Sequence, residues 1–391
     1  MKIKNYIPYG EPSIASNEIK AVLNVIKSKW IGSGPVTEKF EKKFKEYKKS
    51  NYCLALNSCT AGLHLSLKAM NIGPGDEVIT TPLTFCSTIN SILLVGATPV
   101  LVDINPNTLN IDEKKIKIKI TKKTKAIILV HFGGLPCNLY PIISTAKKYK
   151  IKIIEDCAHA IEGKYYGKHV GNFGSTGCFS FYANKNLTTG EGGMLLTNNK
   201  AISSKIHVTR LHGLSKDAWK RYMPENVNPK KTKFQHYDVT DVGLKYNMID
   251  LNASMGIVQL DKIERSWKLR KKNYECYIKG LKKLPLLFQT INPYPVKHAH
   301  HLFTIRINNK KTKKKRDDLI LFLKKNNVGT GVNYRCITDM SYYRKNLGWN
   351  KNTCKLAKEA GDNIISLPMQ PTLTQKNTNY ICQKISEFFK T

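Results

Sequence analysis

Along the first two-thirds of the chain, short apolar runs of strand length alternate with longer stretches whose apolar residues recur at helical spacing. Tyr52–Leu56, Glu77–Thr81, Thr98–Ile104, Lys125–His131, Ile151–Glu155 and Cys178–Tyr182 read as strands. Helices are predicted over Thr60–Met70, Phe85–Val95 and Leu139–Tyr149. Gly73-Pro74-Gly75-Asp76 and the glycine-rich Gly190-Glu191-Gly192-Gly193 read as turns. This alternation predicts a mainly parallel sheet covered by helices. Ile249–Leu281 reads as one long helical stretch joining two domains. Beyond it the pattern changes to a strand at Leu302–Ile307, a helix near Asp317–Asn326 and a final helix near Thr374–Phe389, the size of a small α+β domain. A large domain over residues 1–265 and a small C-terminal domain over 266–391 are expected. The polar region Met223–Asp241 is expected to be a surface loop.

The 391 residues leave room for two domains and a substantial core. No apolar run approaches the roughly 20 residues needed to span a membrane. The N-terminal Met1–Pro8 segment lacks the apolar core of a signal peptide, so a cytoplasmic location is expected. Ten scattered cysteines without a Cys-x-x-Cys pair suit buried thiols in a reducing compartment. In His298-Ala299-His300-His301, strand geometry puts His298 and His300 on one face and His301 on the other, so no metal site is expected. The net charge of +36 raises nucleic-acid binding as an option. Only eight of the 64 basic residues are arginine, however, and lysine is spread over the whole chain. Arginine is the usual reader of bases and phosphates, so no nucleic-acid partner is expected. The Lys310–Arg316 run reads as a solvated loop.

The candidate chemistry lies between Ile151 and Met194. Asp156 ends a predicted buried strand, and Lys185 follows another strand 29 residues later. Pyridoxal phosphate (PLP) needs one lysine for its Schiff base and one carboxylate to keep its pyridine nitrogen protonated. Taken singly, such an aspartate is more often a helix cap, and one lysine among many carries no information. Asn57-Ser58-Cys59-Thr60-Ala61-Gly62-Leu63 leads from a strand into a helix. Such an N-terminus offers N–H groups to a phosphate, although an ordinary serine cap reads the same way. Phe85 follows a strand where a ring could stack on pyridine, but a core phenylalanine is the simpler reading. His159 lies three residues beyond Asp156, so both could face one ligand.

Together these segments resemble the DegT/DnrJ/EryC1/StrS family of sugar aminotransferases, which have the PLP-dependent aspartate aminotransferase (type I) fold. The resemblance runs from about Tyr9 to the C-terminus. It rests on Gly73–Ile79, Gly96–Val100, Glu155–Ala160, Cys178–Asn186 and Gly329–Val332. It implies that Lys185 is the Schiff-base lysine and Asp156 the partner of the pyridine nitrogen. His159 then lies beside the cofactor ring and Phe85 stacks on it. Ser58, Thr60 and Ala61, with Ser180, would contact the phosphate. Asn247 would reach the phosphate of the partner subunit's cofactor, which implies a homodimer with shared active sites. Some relatives are dehydratases with histidine at the lysine position; Lys185 favours amino transfer. The chain departs from the family pattern at Asn184, where threonine, serine or proline is usual, and at Asn333 and Thr338, where histidines are frequent.

The segments His212–Tyr222 and Gly243–Asp250 are similar to members that aminate C4 of a nucleotide-linked sugar. Members acting at C3 more often carry an arginine soon after the asparagine, and Met248–Asp250 has none. The expected substrates are therefore a UDP- or dTDP-linked 4-keto-6-deoxyhexose or 4-keto-pentose and an amino-acid donor, L-glutamate. Arg221, Tyr334 and Arg335 are candidate substrate contacts. The alternatives are amination of a 3-keto sugar or keto-cyclitol on the same fold, and a catalytically idle PLP-fold binding protein.

Overall fold

The computed structural model describes residues 5–215, 237–291 and 294–390. Its centre is a seven-stranded sheet. In chain order the strands are β1 (Tyr52–Leu56), β2 (Glu77–Thr80), β3 (Thr98–Leu101), β4 (Thr124–Val130), β5 (Lys152–Asp156), β6 (Thr176–Ser180) and β7 (Gly193–Thr197). They lie side by side as β1-β7-β6-β5-β4-β2-β3. Only β7 runs antiparallel to its neighbours. The mainly parallel sheet matches the sequence expectation. It has apolar cores on both faces, one around Phe40, Ile127 and Phe179 and another around Leu63, Ile128 and Leu195.

Strand β7 lies outside the predicted elements, because it starts at the last glycine of the expected turn. Gly193 pairs with Ser180 on one side and Leu56 on the other. A Cβ there would sit 2.4 Å from the Ser58 carbonyl carbon, so only glycine lets this strand pass the start of the next helix.

Helices Ser16–Lys27 and Pro35–Lys48 also fall outside the prediction. Pro35 occupies the first turn, where its missing N–H costs nothing. One turn apart on the same face, Phe40 and Phe44 are fully buried. Phe40 packs 5.4 Å from Phe181, and Phe44 packs 5.3 Å from Phe179. Burying each such ring stabilises by about 1.5–3 kcal/mol. The expected long helix is two, Asp250–Asp261 and Ile263–Leu281, broken at Lys262.

A second, antiparallel sheet holds Leu286–Phe288, Phe303–Ile307 and Ile364–Leu367. Its core joins Tyr277, Phe303, Leu319 and Ile381 from strands and helices, and Ile7 packs into it. The N-terminal segment is held there by Ile7 N–H donating to Asn327 O and Gly329 N–H donating to Ile7 O, both at 2.8 Å. Among the described residues no helix is long and apolar enough to cross a membrane. At the carboxyl ends of β1, β5 and β6 stand Ser58, Asp156 and Ser180, where open α/β sheets bind ligands.

Candidate active site

A cavity of about 530 Å³ opens over these strand ends, a size suited to a small-molecule site. Asp156 and Lys185 both line it. Asp156 is buried, at 5% exposure. Its Oδ2 accepts from the Thr88 hydroxyl at 3.0 Å, and its Oδ1 accepts from the Ala158 N–H at 3.1 Å. Cys59 Sγ lies 3.8 Å from the same Oδ1. Burial pushes the Asp156 carboxyl above its ordinary range, against the pull of Ala158, Thr88 and the Lys185 charge. A tight turn, with Lys185 N–H donating to Tyr182 O at 2.9 Å, places the lysine. Burial lowers the Lys185 ammonium to about 8, with Asp156 and Cys59 opposing the fall. The pair therefore offers an amine near neutrality beside a carboxylate that lacks a strong cation.

The first helix of the cavity wall, Cys59–Ala69, starts behind Ser58. Ser58 Oγ accepts from Ala61 N–H at 3.1 Å, so this serine is an N-cap and the Ala61 amide is spent on it. Ala61 is buried and does not line the cavity, whereas Ser58, Cys59 and Thr60 do. Cys59 and Thr60, whose first-turn amides have no acceptor within the helix, are thus the helix-start residues at the cavity, while the Ala61 amide is taken by Ser58. Ser180 lines the same cavity. Phe85 is not a core residue: it is 58% exposed and faces the cavity at the start of helix Cys86–Leu94.

His159 lies in the wall with its ring 13° from the plane of Tyr334. Its Nε2 is 2.9 Å from the Tyr334 hydroxyl, and Gly133 N–H donates to its Nδ1 at 3.3 Å. Burial and the Lys185 charge hold its pKa well below the ordinary value, so the ring is neutral. His301 faces His159 with ring centroids 4.5 Å apart, while His298 and His300 stack on each other at 4.6 Å. This is the two-sided arrangement expected of the histidine run.

Asn247 does not line this cavity. It borders a separate pocket with Ser33, Glu41 and Arg210, where its Nδ2 donates to Ser33 Oγ and its Oδ1 accepts from Lys245 at 2.6 Å. Tyr334 lines the cavity, but Arg335 is exposed and does not. Arg221 lies outside the described residues. Asp250, at the end of the distinctive Gly243–Asp250 segment, is structural. It accepts from Gly34 N–H at 2.8 Å, Thr37 N–H at 2.9 Å and the Thr37 hydroxyl at 2.6 Å.

Sequence reasoning missed Thr88, which lies behind the cavity on Asp156, and several residues that line the cavity. Thr88 was within reach, since it lies one helical turn beyond Phe85. Cys59 sits inside the singled-out Asn57–Leu63 stretch. Tyr9, Glu191 and Asn184 also line the cavity. Tyr9 has no local signal, because only the tertiary course of the N-terminal segment brings it there.

One buried cluster, His131, Glu155 and Cys157, has ligand-like spacing. The protein's own hydrogen bonds account for it. Glu155 accepts from Gly171, Phe173 and Gly174 N–H at 2.7–2.8 Å. His131 accepts from Cys137 N–H on Nδ1, so its Nε2–H donates to Glu155 at 3.2 Å. Burial opposes ionisation of Glu155, yet these donors hold its carboxyl below the usual range. The cluster ties the loop after β5 to the sheet.

The residues present fit PLP. A buried carboxylate short of a cation suits a protonated ring nitrogen, and a neutral-leaning lysine suits a Schiff base. First-turn amides suit a phosphate, and Phe85 and His159 offer flat faces to a ring. The fold and this cavity define a PLP-dependent transaminase of the type I fold. The chain belongs to the DegT/DnrJ/EryC1/StrS aminotransferase family, whose model matches residues 12–386. An uncharacterised protein of Methanocaldococcus jannaschii is 45% identical over 372 residues, 95% of this chain and 94% of that protein. The spore coat polysaccharide biosynthesis protein SpsC of Bacillus subtilis is 38% identical over 390 residues, 100% of this chain and 98% of SpsC. Among solved structures, Streptococcus pneumoniae Spr1654, assigned as a sugar aminotransferase and solved in its PMP form, superposes with a TM-score of 0.90 at 30% identity, covering 98% of this chain and 99% of Spr1654. Spr1654 is also solved in its PLP form. Helicobacter pylori PseC, an aminotransferase of pseudoaminic acid biosynthesis, matches with a TM-score of 0.88 at 27% identity, over 99% of this chain and 100% of PseC. The cofactor of this chain is PLP.

Proposed function

We propose that this transaminase moves an amino group from L-glutamate to C4 of a UDP- or dTDP-linked 4-keto-6-deoxyhexose or 4-keto-pentose, for amino-sugar and glycan synthesis. The reading is carried by the convergence of Asp156 and Lys185 on one cavity, where each acts on the other's pKa. Bound PLP supplies an electron sink for the carbon that loses its proton. The amine of Lys185, held near neutrality, takes the proton from the donor's α-carbon and returns a proton to the sugar carbon in the second half. Asp156 keeps a proton on the ring nitrogen, with Thr88 and Ala158 N–H orienting its oxygens. Cys59 and Thr60 amides and Ser180 hold the phosphate. Phe85 and His159 flank the ring.

Asn247, turned away from its own chain's cavity, serves the partner's site in a homodimer. The amino acid and the nucleotide diphosphate are anionic, which suits a chain of net charge +36. The C4 assignment draws support from the Gly243–Asp250 segment, where Asn247 is followed by no arginine, although Asp250 itself is a structural group. The polysaccharide and pseudoaminic acid roles of SpsC and PseC agree with a sugar acceptor. Ten free cysteines suit a reducing, cytoplasmic setting. The test is turnover of L-glutamate with UDP- and dTDP-linked 4-keto-6-deoxyhexoses, set against 3-keto isomers. Amination of a 4-keto sugar supports the reading, and amination of only the 3-keto isomers overturns it.

A further inference from the structure

The hydrogen bonds behind His301 decide which of its ring nitrogens carries a proton. Asn186 Nδ2 donates to Glu162 Oε2 at 2.8 Å and to the Ala299 carbonyl at 2.9 Å. Both partners only accept, so turning the amide over would set its oxygen against a carboxylate and a carbonyl. Glu162 is held as a carboxylate by Arg270, whose Nη2 donates to its Oε1, both groups being buried. Asn186 Oδ1 is therefore the atom 3.0 Å from His301 Nδ1, and that nitrogen is the donor. His301 is itself buried, and burial together with the Lys185 charge holds it well below the ordinary histidine value. A ring with its single proton on Nδ1 has a bare lone pair on Nε2. Among the described residues nothing donates to Nε2, and the atom is open rather than enclosed. His301 lines the cavity and also a narrower pocket beneath the N-terminal segment. The two meet along Tyr9, Asn184, Lys185, His301 and Leu302.

We propose that His301 is a specificity-determining residue whose Nε2 lone pair, fixed by Asn186 and the Glu162–Arg270 pair behind it, accepts a hydrogen bond from a hydroxyl of the sugar. A sugar ring carries hydroxyls that can donate. The carboxylates of an amino-acid donor carry no proton near neutrality, so a bare lone pair repels them. Such an acceptor therefore favours the sugar half of the reaction over the amino-acid half, and it discriminates against a sugar lacking that hydroxyl. The facing His159 ring, 4.5 Å away, cannot take this role: Gly133 N–H occupies its Nδ1, and its Nε2 is engaged with the Tyr334 hydroxyl. Asn186 is the positioning residue, because its carbonyl alone keeps the proton on the far side of the His301 ring. The proposal rests on the sugar-acceptor reading, but not on which carbon is aminated.

Two measurements on the holoenzyme test it. In histidine-labelled protein, two-bond 1H–15N correlation spectra report each ring's tautomer, and the signals missing from His301→Phe identify residue 301. The expected result is a neutral ring protonated on Nδ1; an Nε2–H ring or an imidazolium at pH about 7 would overturn the proposal. Single turnover then compares L-glutamate with UDP-4-amino-4,6-dideoxyglucose in reverse. His301→Phe keeps an aromatic ring against His159 and removes the acceptor. It should lower kcat/KM for the amino sugar roughly tenfold, with a several-fold smaller fall for glutamate. Asn186→Leu, which frees the tautomer, should lower the same half less. Equal falls in both halves, or a fall confined to glutamate, are contrary to the proposal. A wild-type enzyme silent toward this amino sugar counts against the 4-keto reading instead, and the same split is then read with UDP-3-amino-3,6-dideoxyglucose.

Discussion

Thr88→Val isolates the support that Asp156 receives from the protein. The Thr88 hydroxyl donates to Asp156 Oδ2 at 3.0 Å and lies 2.8 Å from the Thr84 hydroxyl, all three groups being buried. Valine keeps the branched shape and removes the donor. A hydrogen bond to a charged group contributes about 1.5–3 kcal/mol. Burial already raises the Asp156 pKa, so losing this donor weakens the carboxylate further. If that support is realised on the path to proton removal, the single-turnover rate with glutamate falls about tenfold to a hundredfold. The Thr84 hydroxyl, left without its partner, costs a further 1–3 kcal/mol or so of stability. The assay is stopped-flow decay of the bound cofactor's visible absorbance, alongside thermal melting. A variant that melts earlier but keeps a rate within about twofold of wild type would refute the role given to Thr88.

Three further outcomes are expected. The apoprotein should capture PLP with a rate that rises through pH about 8 and then levels, because the Lys185 amine is neutral above its lowered pKa; a midpoint near the ordinary lysine value would contradict the burial argument. Gly193→Ala should release the cofactor, since the new methyl would lie 2.4 Å from the Ser58 carbonyl carbon and displace the Cys59 and Thr60 amides; equilibrium titration with PLP measures it, and unchanged affinity counts against the phosphate site. Asp250→Ala should cost about 2–4 kcal/mol, because Gly34 N–H and both Thr37 donors lose their acceptor at the head of helix Pro35–Lys48. Urea unfolding reports that loss, and a change below about 0.5 kcal/mol would show the cap to be dispensable.

The parallel strands were legible because most of their residues are buried, so that short apolar stretches such as Ala126–Val130 and Ile153–Ile154 mark them. The strand after the glycine-rich turn was not, because Gly193 is chosen for its closeness to Ser58, a contact 135 residues distant that leaves no local pattern. The long helix read across Ile249–Leu281 breaks at Lys262, where nothing in the helical spacing marks a stop. Asp156 and Lys185 could be found because each follows a readable strand. Phe85 is chemically plain, and the core reading failed because only the fold shows a cavity beside it. The Ser58–Ala61 stretch was ambiguous between cap and phosphate site, and the two readings are compatible: the Ser58 side chain caps the helix while Ser58, Cys59 and Thr60 line the cavity. Tyr9 depends on a chain crossing between distant segments and could not be read at all.

The most direct measurement is the absorbance spectrum of the PLP-loaded protein and of Lys185→Ala, before and after UDP-4-amino-4,6-dideoxyglucose is added without a keto acceptor. The account predicts a yellow wild-type protein that loses its visible band on adding the amino sugar, and a Lys185→Ala variant that lacks the wild-type band and never turns over. A variant with the wild-type spectrum and full turnover would contradict the central claim that Lys185 and Asp156 form the transaminating pair.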